Sequence, residues 1–305
     1  MKTFLNFFAF FEIICYNVGM EMQILQFFES IRCSFLTVVF SAFSLLGETV
    51  PLIVVICLLY WIFDKKLAER LMLTSFTSLT LNSYLKVLVS RPRPYTVEGG
   101  VSRVEIDNAL ISTMELNPTE SFPSGHSQLS AGLFFTSAFH FKKKWAWILF
   151  PLLTLGVMCS RMYLGVHFPT DVLVGATLGI AFAWIWEVIY TKFDKQKFLI
   201  AGVFALVFLV LCFITPSKSL AKNVACLLGL VIAIPLENKY INFENQKNAK
   251  KNWARAGMGL LCVVGEYLLF SAILPSGILS SFIKYFLLVM VAALLVPYLF
   301  KKLKI

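Results

Sequence analysis

Apolar stretches of bilayer-crossing length recur along this chain, broken only by short charged runs, and that pattern admits one stable outcome, a bundle of membrane-spanning helices. Candidate spans fall near 50–63, 70–90, 126–141, 145–161, 170–190, 198–215, 220–236, 254–273 and 278–300. Several are short, so their limits are soft. The composition agrees: 58% of the 305 residues are hydrophobic and 14% are charged, where ordinary soluble domains carry about 25% charged residues. Disordered, collagenous and nucleic-acid-binding classes need the opposite balance. Seven scattered cysteines show no C-x-x-C spacing and read as small buried hydrophobes, with neither a disulfide framework nor a zinc site expected.

The net charge of +10 is explained by where the cations lie. One set of alternate loops holds 17 of them: Lys65, Lys66, Arg70, Lys142, Lys143, Lys144, Lys192, Lys195, Lys197, Lys239, Lys247, Lys250, Lys251, Arg255, Lys301, Lys302 and Lys304. The other set holds six, Arg91, Arg93, Arg103, Arg161, Lys218 and Lys222. Positive loops stay in the cytoplasm, so the first face is expected inside and the second outside. The charge is then a topology signal and no nucleic-acid partner is implied.

Before the spans, Phe35 to Leu46 is too short to cross and is broken by Gly47-Glu48, which reads as a re-entrant or interfacial piece. Residues 1–19 resemble a weak signal or anchor interrupted by Glu12, with Met20 and Met22 as alternative starts, and no function is assigned to them. The expected organisation is an N-terminal apolar or interfacial segment (1–49), a core carrying the chemistry (50–197) and a C-terminal transmembrane extension of about four helices (198–305).

Three polar clusters sit at the expected outer ends of the spans. In Lys86-Val-Leu-Val-Ser-Arg-Pro-Arg93-Pro, a helix stops at a double X-Pro break, and two cations about two turns apart can face one site. Taken alone, these could be a snorkelling lysine and membrane-flanking arginines. Pro123-Ser124-Gly125-His126 opens the next apolar run: glycine allows close approach, serine offers donors, and a helix N-terminus favours an anion. An ordinary capped turn would look the same. In Ser160-Arg161-x5-His167-x3-Asp171, Pro169 starts a helix, so the Asp171 carboxylate in its first turn can hold one nitrogen of His167 and leave the other nucleophilic. Arg161 supplies a fork for phosphate oxygens, although an Arg161–Asp171 structural ion pair is the bland alternative. The third histidine, His140, lies at the inner end of its span and is expected to pack there. Glu266, inside an apolar span, either lines a cavity or packs protonated between helices.

Together, K-x6-R-P, P-S-G-H and S-R-x5-H-x3-D resemble the three-part signature of the type 2 phosphatidic acid phosphatase superfamily, over roughly residues 50–190. The resemblance implies an all-α polytopic membrane bundle, a six-helix phosphatase core with a C-terminal transmembrane extension. It also implies that His167 attacks phosphorus, Asp171 orients it and His126 protonates the leaving alkoxide. Lys86, Arg93, Ser124, Gly125 and Arg161 would hold the phosphate oxygens. Independently of the name, three cations and a helix N-terminus suffice to neutralise a phosphate, so no metal or other cofactor is expected. A site at the bilayer boundary favours lipid phosphates or diphosphates, and the expected placement is a bacterial cytoplasmic membrane with the site facing outward. A lipid phosphotransferase and a phosphatase of a soluble sugar phosphate remain alternatives; a vanadium haloperoxidase-like activity is disfavoured because those relatives are soluble.

Overall fold

The computed structural model describes residues 18–106 and 116–305. The expected readings of residues 1–17, and part of the polar stretch 91–125, lie outside them. The described residues form helices without strands. These are α1 (Val18–Ser30), α2 (Ser34–Leu45), α3 (Thr49–Phe63), α4 (Lys65–Val89), α5 (Gly125–Phe141), α6 (Ala146–Tyr163), α7 (Pro169–Lys192), α8 (Lys197–Ile214), α9 (Lys218–Ile241), α10 (Ala249–Ile273) and α11 (Ile278–Leu303).

Six of them, α6 to α11, are long and apolar enough to cross a membrane, and the protein is a multi-pass membrane protein. The expected elbow at Gly47-Glu48 is present: α2 and α3 meet there at 50° and together pass as one broken span or a re-entrant loop. Neither α4 nor the 17-residue α5 passes, and for α4 the reason is physical. α4 is about 37 Å long at the usual helical rise, enough to cross, but it is the central helix and its polar side chains face protein rather than lipid. Trp186 of α7 donates to Thr77 Oγ1 (2.8 Å), Thr136 of α5 to Thr74 Oγ1 (3.2 Å), and Asn223 of α9 to Ser83 Oγ (2.9 Å). Inside a bundle such bonds satisfy groups that lipid would leave bare.

Local chemistry sets the ends of these helices. Asp64 caps α4, its carboxylate accepting from Leu67 N at 2.9 Å, and the helix stops where Ser90 turns left-handed ahead of Pro92. The α5 and α7 backbones nearly touch: a methyl at Gly179 would sit 2.2 Å from the Gln128 carbonyl oxygen. The extension packs on the core through α9, whose Leu227, Leu230 and Ala233 are buried beside α4 and α11. Glu266 is 9% exposed and neither carboxylate oxygen has a hydrogen-bond partner. The six described cysteines are free thiols.

Candidate active site

All three motif clusters lie at the same end of the bundle, and hydrogen bonds knit them together. Lys86, one turn from the end of α4, donates from Nζ to the Glu120 carbonyl at 2.5 Å. Arg93 donates to that same oxygen from Nη2 (3.1 Å), so the two cations share one acceptor. The rest of the Arg93 guanidinium is anchored by the Asn117 and Val166 carbonyls, and its Nη1 lies 3.4 Å from His167 Nε2. Arg93 is therefore fixed against the expected nucleophile by backbone alone.

His167 is 2% exposed, in the short connection between α6 and α7. Gly165 makes that connection possible: its φ is +72°, and a side chain there would meet the Ser102 carbonyl at 2.4 Å. Burial, together with the positive charges of Arg93, Lys86 and Arg161 and the neighbouring His126, holds the His167 imidazole well below its ordinary protonation range. The ring is thus kept neutral, the form in which it can attack.

The expected Asp171–His167 pairing is looser than the sequence suggests. His167 Nδ1 lies 3.5 Å from Asp171 Oδ2 and makes no hydrogen bond. Asp171 is otherwise occupied: Oδ2 accepts from Ser121 Oγ (2.5 Å) and from the Phe168 amide (2.8 Å), and Oδ1 from Arg91 (2.7 Å). The bland alternative for Arg161 does not arise, since its partner is Ser44 Oγ (2.6 Å), and Arg161 Nε, fully buried, is without an acceptor.

Ser124 plays a narrower part than expected. Its amide donates to the Asp171 carbonyl (2.9 Å) and its hydroxyl caps α5 through Ser127, so the backbone donor is spent on fixing α5 to α7. Gly125 keeps its expected place at the first position of α5. A methyl there would meet only Asn82 Oδ1 at 3.5 Å, so the space before this glycine is open to a ligand. His126 Nε2 lies 2.9 Å from Glu48 Oε1. A carboxylate at that distance orients the ring. His140 is at the opposite end, 2.9 Å from Asp64, and takes no part.

Four residues that sequence reasoning passed over complete the site: Arg91, Glu21, Ser44 and Glu48. Arg91 bridges the Asp171 and Glu21 carboxylates (2.7 and 2.5 Å) and lies over the Phe168 ring. The only signal for the two glutamates was the presence of an acid inside or beside an apolar stretch, which is expensive unless paired.

Comparison with known proteins identifies the family. The PAP2 superfamily family model matches residues 67–195, and the model for the transmembrane extension of PAP2 superfamily phosphatases matches residues 221–305. The chain is 30% identical over 184 residues to the lipid A 4'-phosphatase of Bacteroides thetaiotaomicron, covering 58% of this chain and 79% of that protein. It is 32% identical over 163 residues to phosphatidylglycerophosphatase B of Bacillus subtilis, covering 49% and 73%. A crystal structure of a Bacillus subtilis transmembrane PAP2-type phosphatidylglycerolphosphate phosphatase aligns at 26% identity with a TM-score of 0.47, over 62% of this chain and 96% of that one. With its three motif clusters gathered in one site and the extension helices packed behind them, this chain belongs to the PAP2 superfamily of membrane phosphatases.

Proposed function

We propose that this protein removes phosphate from a lipid phosphate through a phosphohistidine on His167, without a metal ion, at the non-cytoplasmic face of a bacterial cytoplasmic membrane. The observation that carries the reading is the Arg93 guanidinium held 3.4 Å from His167 Nε2 and sharing the Glu120 carbonyl with Lys86. Nucleophile and phosphate-binding cations are thereby within reach of one phosphoryl group.

The chemistry follows from the side chains. The free donors of Lys86 and Arg93, the unpartnered Arg161 Nε and the first amides of α5 bind the phosphoryl oxygens and neutralise the charge that repels a nucleophile. The Nε2 lone pair of His167 attacks phosphorus as the ester P–O bond breaks. The leaving alkoxide takes a proton from His126, and Nδ1–H stays on the His167 ring facing Asp171. Water, deprotonated by His126, then cleaves the N–P bond and releases inorganic phosphate. The four phosphate-neutralising groups are all parts of this chain, which supports a metal-independent reaction.

The substrate class and orientation rest on position. The site lies at the ends of membrane helices, where a phosphate head can enter while its tail stays in lipid. The lysine-rich end is the cytoplasmic one by the charge rule. The relatives named above act on lipid phosphates, and we extend that class to this chain. The test is phosphate release by purified protein from lipid phosphate monoesters, lipid diphosphates and glucose 6-phosphate, with EDTA present throughout. Release from the lipids with EDTA, together with acid-labile, base-stable phosphoprotein on rapid quench, is expected. Complete loss of release with EDTA, or exclusive action on the sugar phosphate, would overturn the reading.

A further inference from the structure

The mechanism asks Asp171 for negative charge, yet the structure places a second cation, Arg91, directly on that carboxylate (Arg91 Nη1 to Asp171 Oδ1, 2.7 Å). Left as a pair, the two would be neutral, and Asp171 would offer His167 no net negative charge against Lys86, Arg93 and Arg161. Glu21 changes this. It is 5% exposed, on the inner side of α1, and its Oε2 takes the other Arg91 nitrogen at 2.5 Å. Its Oε1 accepts from the Thr170 amide (2.9 Å) and hydroxyl (2.5 Å), so it also caps α7 from another helix, one residue before Asp171. Glu21, Arg91 and Asp171 together carry one net negative charge, buried against His167.

α1 is seated for this task on both sides. Met22 and Leu25 are buried against Val101 and Phe168, the residue that follows His167. Met20, Ile24 and Phe27, spaced along the opposite side, are 65%, 39% and 60% exposed, an apolar stripe suited to lying in the lipid boundary.

We propose that Glu21 is a positioning residue for the catalytic pair, in which the α1 helix delivers a carboxylate that occupies Arg91 and so leaves the charge of Asp171 to His167. The proposal rests on the phosphohistidine reading above. When His167 Nε2 bonds to phosphorus, its ring retains Nδ1–H and takes on imidazolium character, and the surplus negative charge steadies that state. Binding of the phosphate itself, by Lys86, Arg93 and Arg161, does not pass through Glu21, so the effect belongs to kcat rather than KM.

The experiment uses full-length protein in phosphatidylcholine nanodiscs with a lipid phosphate substrate. Glu21→Gln keeps an oxygen for Thr170 and removes the charge. It is expected to lower kcat about tenfold or more, with KM within about threefold, as for the loss of one partly buried charge interaction. Glu21→Asp keeps the charge and is expected to recover most of the rate. Glu21→Gln combined with Arg91→Gln restores one net negative charge and is expected to exceed Glu21→Gln alone by several-fold, which a packing role would not produce. Wild-type kcat in Glu21→Gln, an equal loss in Glu21→Asp, or a double variant no faster than the single would each overturn the proposal. If wild-type protein hydrolyses nothing, the phosphatase reading fails instead. The resting protein still reports on Glu21 by 15N-histidine spectroscopy, where the Nδ1–H tautomer of His167 should weaken in Glu21→Gln, and an unchanged tautomer would count against the role.

Discussion

The two ends of the bundle are both dense in charge but use it differently. At the lysine-rich end several charges close on one another around a polar cavity of about 750 Å³. Lys65 pairs with buried Glu237, Arg70 with Glu187 (2.6 Å), and Lys197 with Glu69 and Asp194 (2.8 and 2.9 Å). At the motif end Lys86 and Arg93 are tied to backbone carbonyls instead of carboxylates, Arg161 to a serine hydroxyl, and two buried nitrogens, Arg161 Nε and His167 Nδ1, have no hydrogen-bond partner. A cation held by neutral oxygens keeps its charge for a ligand; one closed on a carboxylate has already used it. The paired charges therefore mark the structural end, and the unspent charge marks the proposed chemical one.

The harshest way to break this contrast is to remove the proposed nucleophile. His167→Ala is expected to lose at least about 10⁴-fold in phosphate release and to form no phosphoprotein on rapid quench, with the helical circular dichroism signal intact. Residual activity near wild type would detach the site from His167 altogether. Next come the cations. Arg161→Gln or Lys86→Ala is expected to cost about 10²- to 10³-fold in kcat/KM, the range for deleting one donor to a developing oxyanion. Losses below about tenfold in both would mean the unspent charge is not spent on phosphate.

The protonation of His167 gives a sharper discriminator. Its imidazole is held below the ordinary range, so in the folded protein the lone pair is lost only when pH falls through that lowered value. Single-turnover phosphoprotein formation should therefore fall between pH 7.5 and 5.5 no more than protonation of the substrate phosphate explains. An additional loss tracking an ordinary imidazole near about 6.5 would contradict the buried, cation-ringed ring seen here. The linkage runs the same way for stability: the unfolded chain takes this proton first, so the group disfavours folding as pH drops below about 6.5.

How much of this was legible in the sequence follows from the kind of signal each residue leaves. The motifs could be read because each contains a helix-ending or helix-starting proline, Pro92, Pro94, Pro123 or Pro169, which puts its chemistry near a span end. Of the nine candidate spans, six, α6 to α11, are long and apolar enough to cross a membrane, and 50–63 is so only when joined to α2; α4 and α5 do not qualify, and for α4 the polar side chains responsible face protein neighbours that only the packing reveals. Arg91, Glu21, Ser44 and Glu48 were missed for a shared reason. Their partners lie far away in the chain: 70 residues separate Glu21 from Arg91, 78 separate Glu48 from His126 and 117 separate Ser44 from Arg161. No local periodicity encodes such a contact. Arg91 is the instructive case: two residues before Arg93 in sequence and equal in charge, it is the one cation of that pair that closes on carboxylates.

Glu48→Gln tests an intermediate effect. The amide can still meet His126 but no longer favours its proton, so leaving-group protonation should slow. A loss of about tenfold is expected for substrates with poor alkoxide leaving groups. It should shrink towards none for a p-nitrophenyl phosphate ester, whose leaving group needs little help. Equal losses for both classes would assign Glu48 to the shape of the α2–α3 elbow rather than to proton transfer.

The smallest effect belongs to the lysine-rich end. Arg70 and Glu187 form a partly exposed pair, 21% and 16% accessible, and Arg70 also lies over the Tyr190 ring. Replacing either should cost about 1 kcal/mol of stability at most, because solvent screening and side-chain ordering offset most of the attraction. Turnover should stay within about twofold of wild type, since the pair is at the far end of the bundle from His167. Thermal unfolding in detergent and phosphate release on the same preparations of Glu187→Gln separate the two quantities. A drop in kcat without a drop in melting temperature would show that the two ends communicate, and the division between closed and unspent charge would then be one of degree.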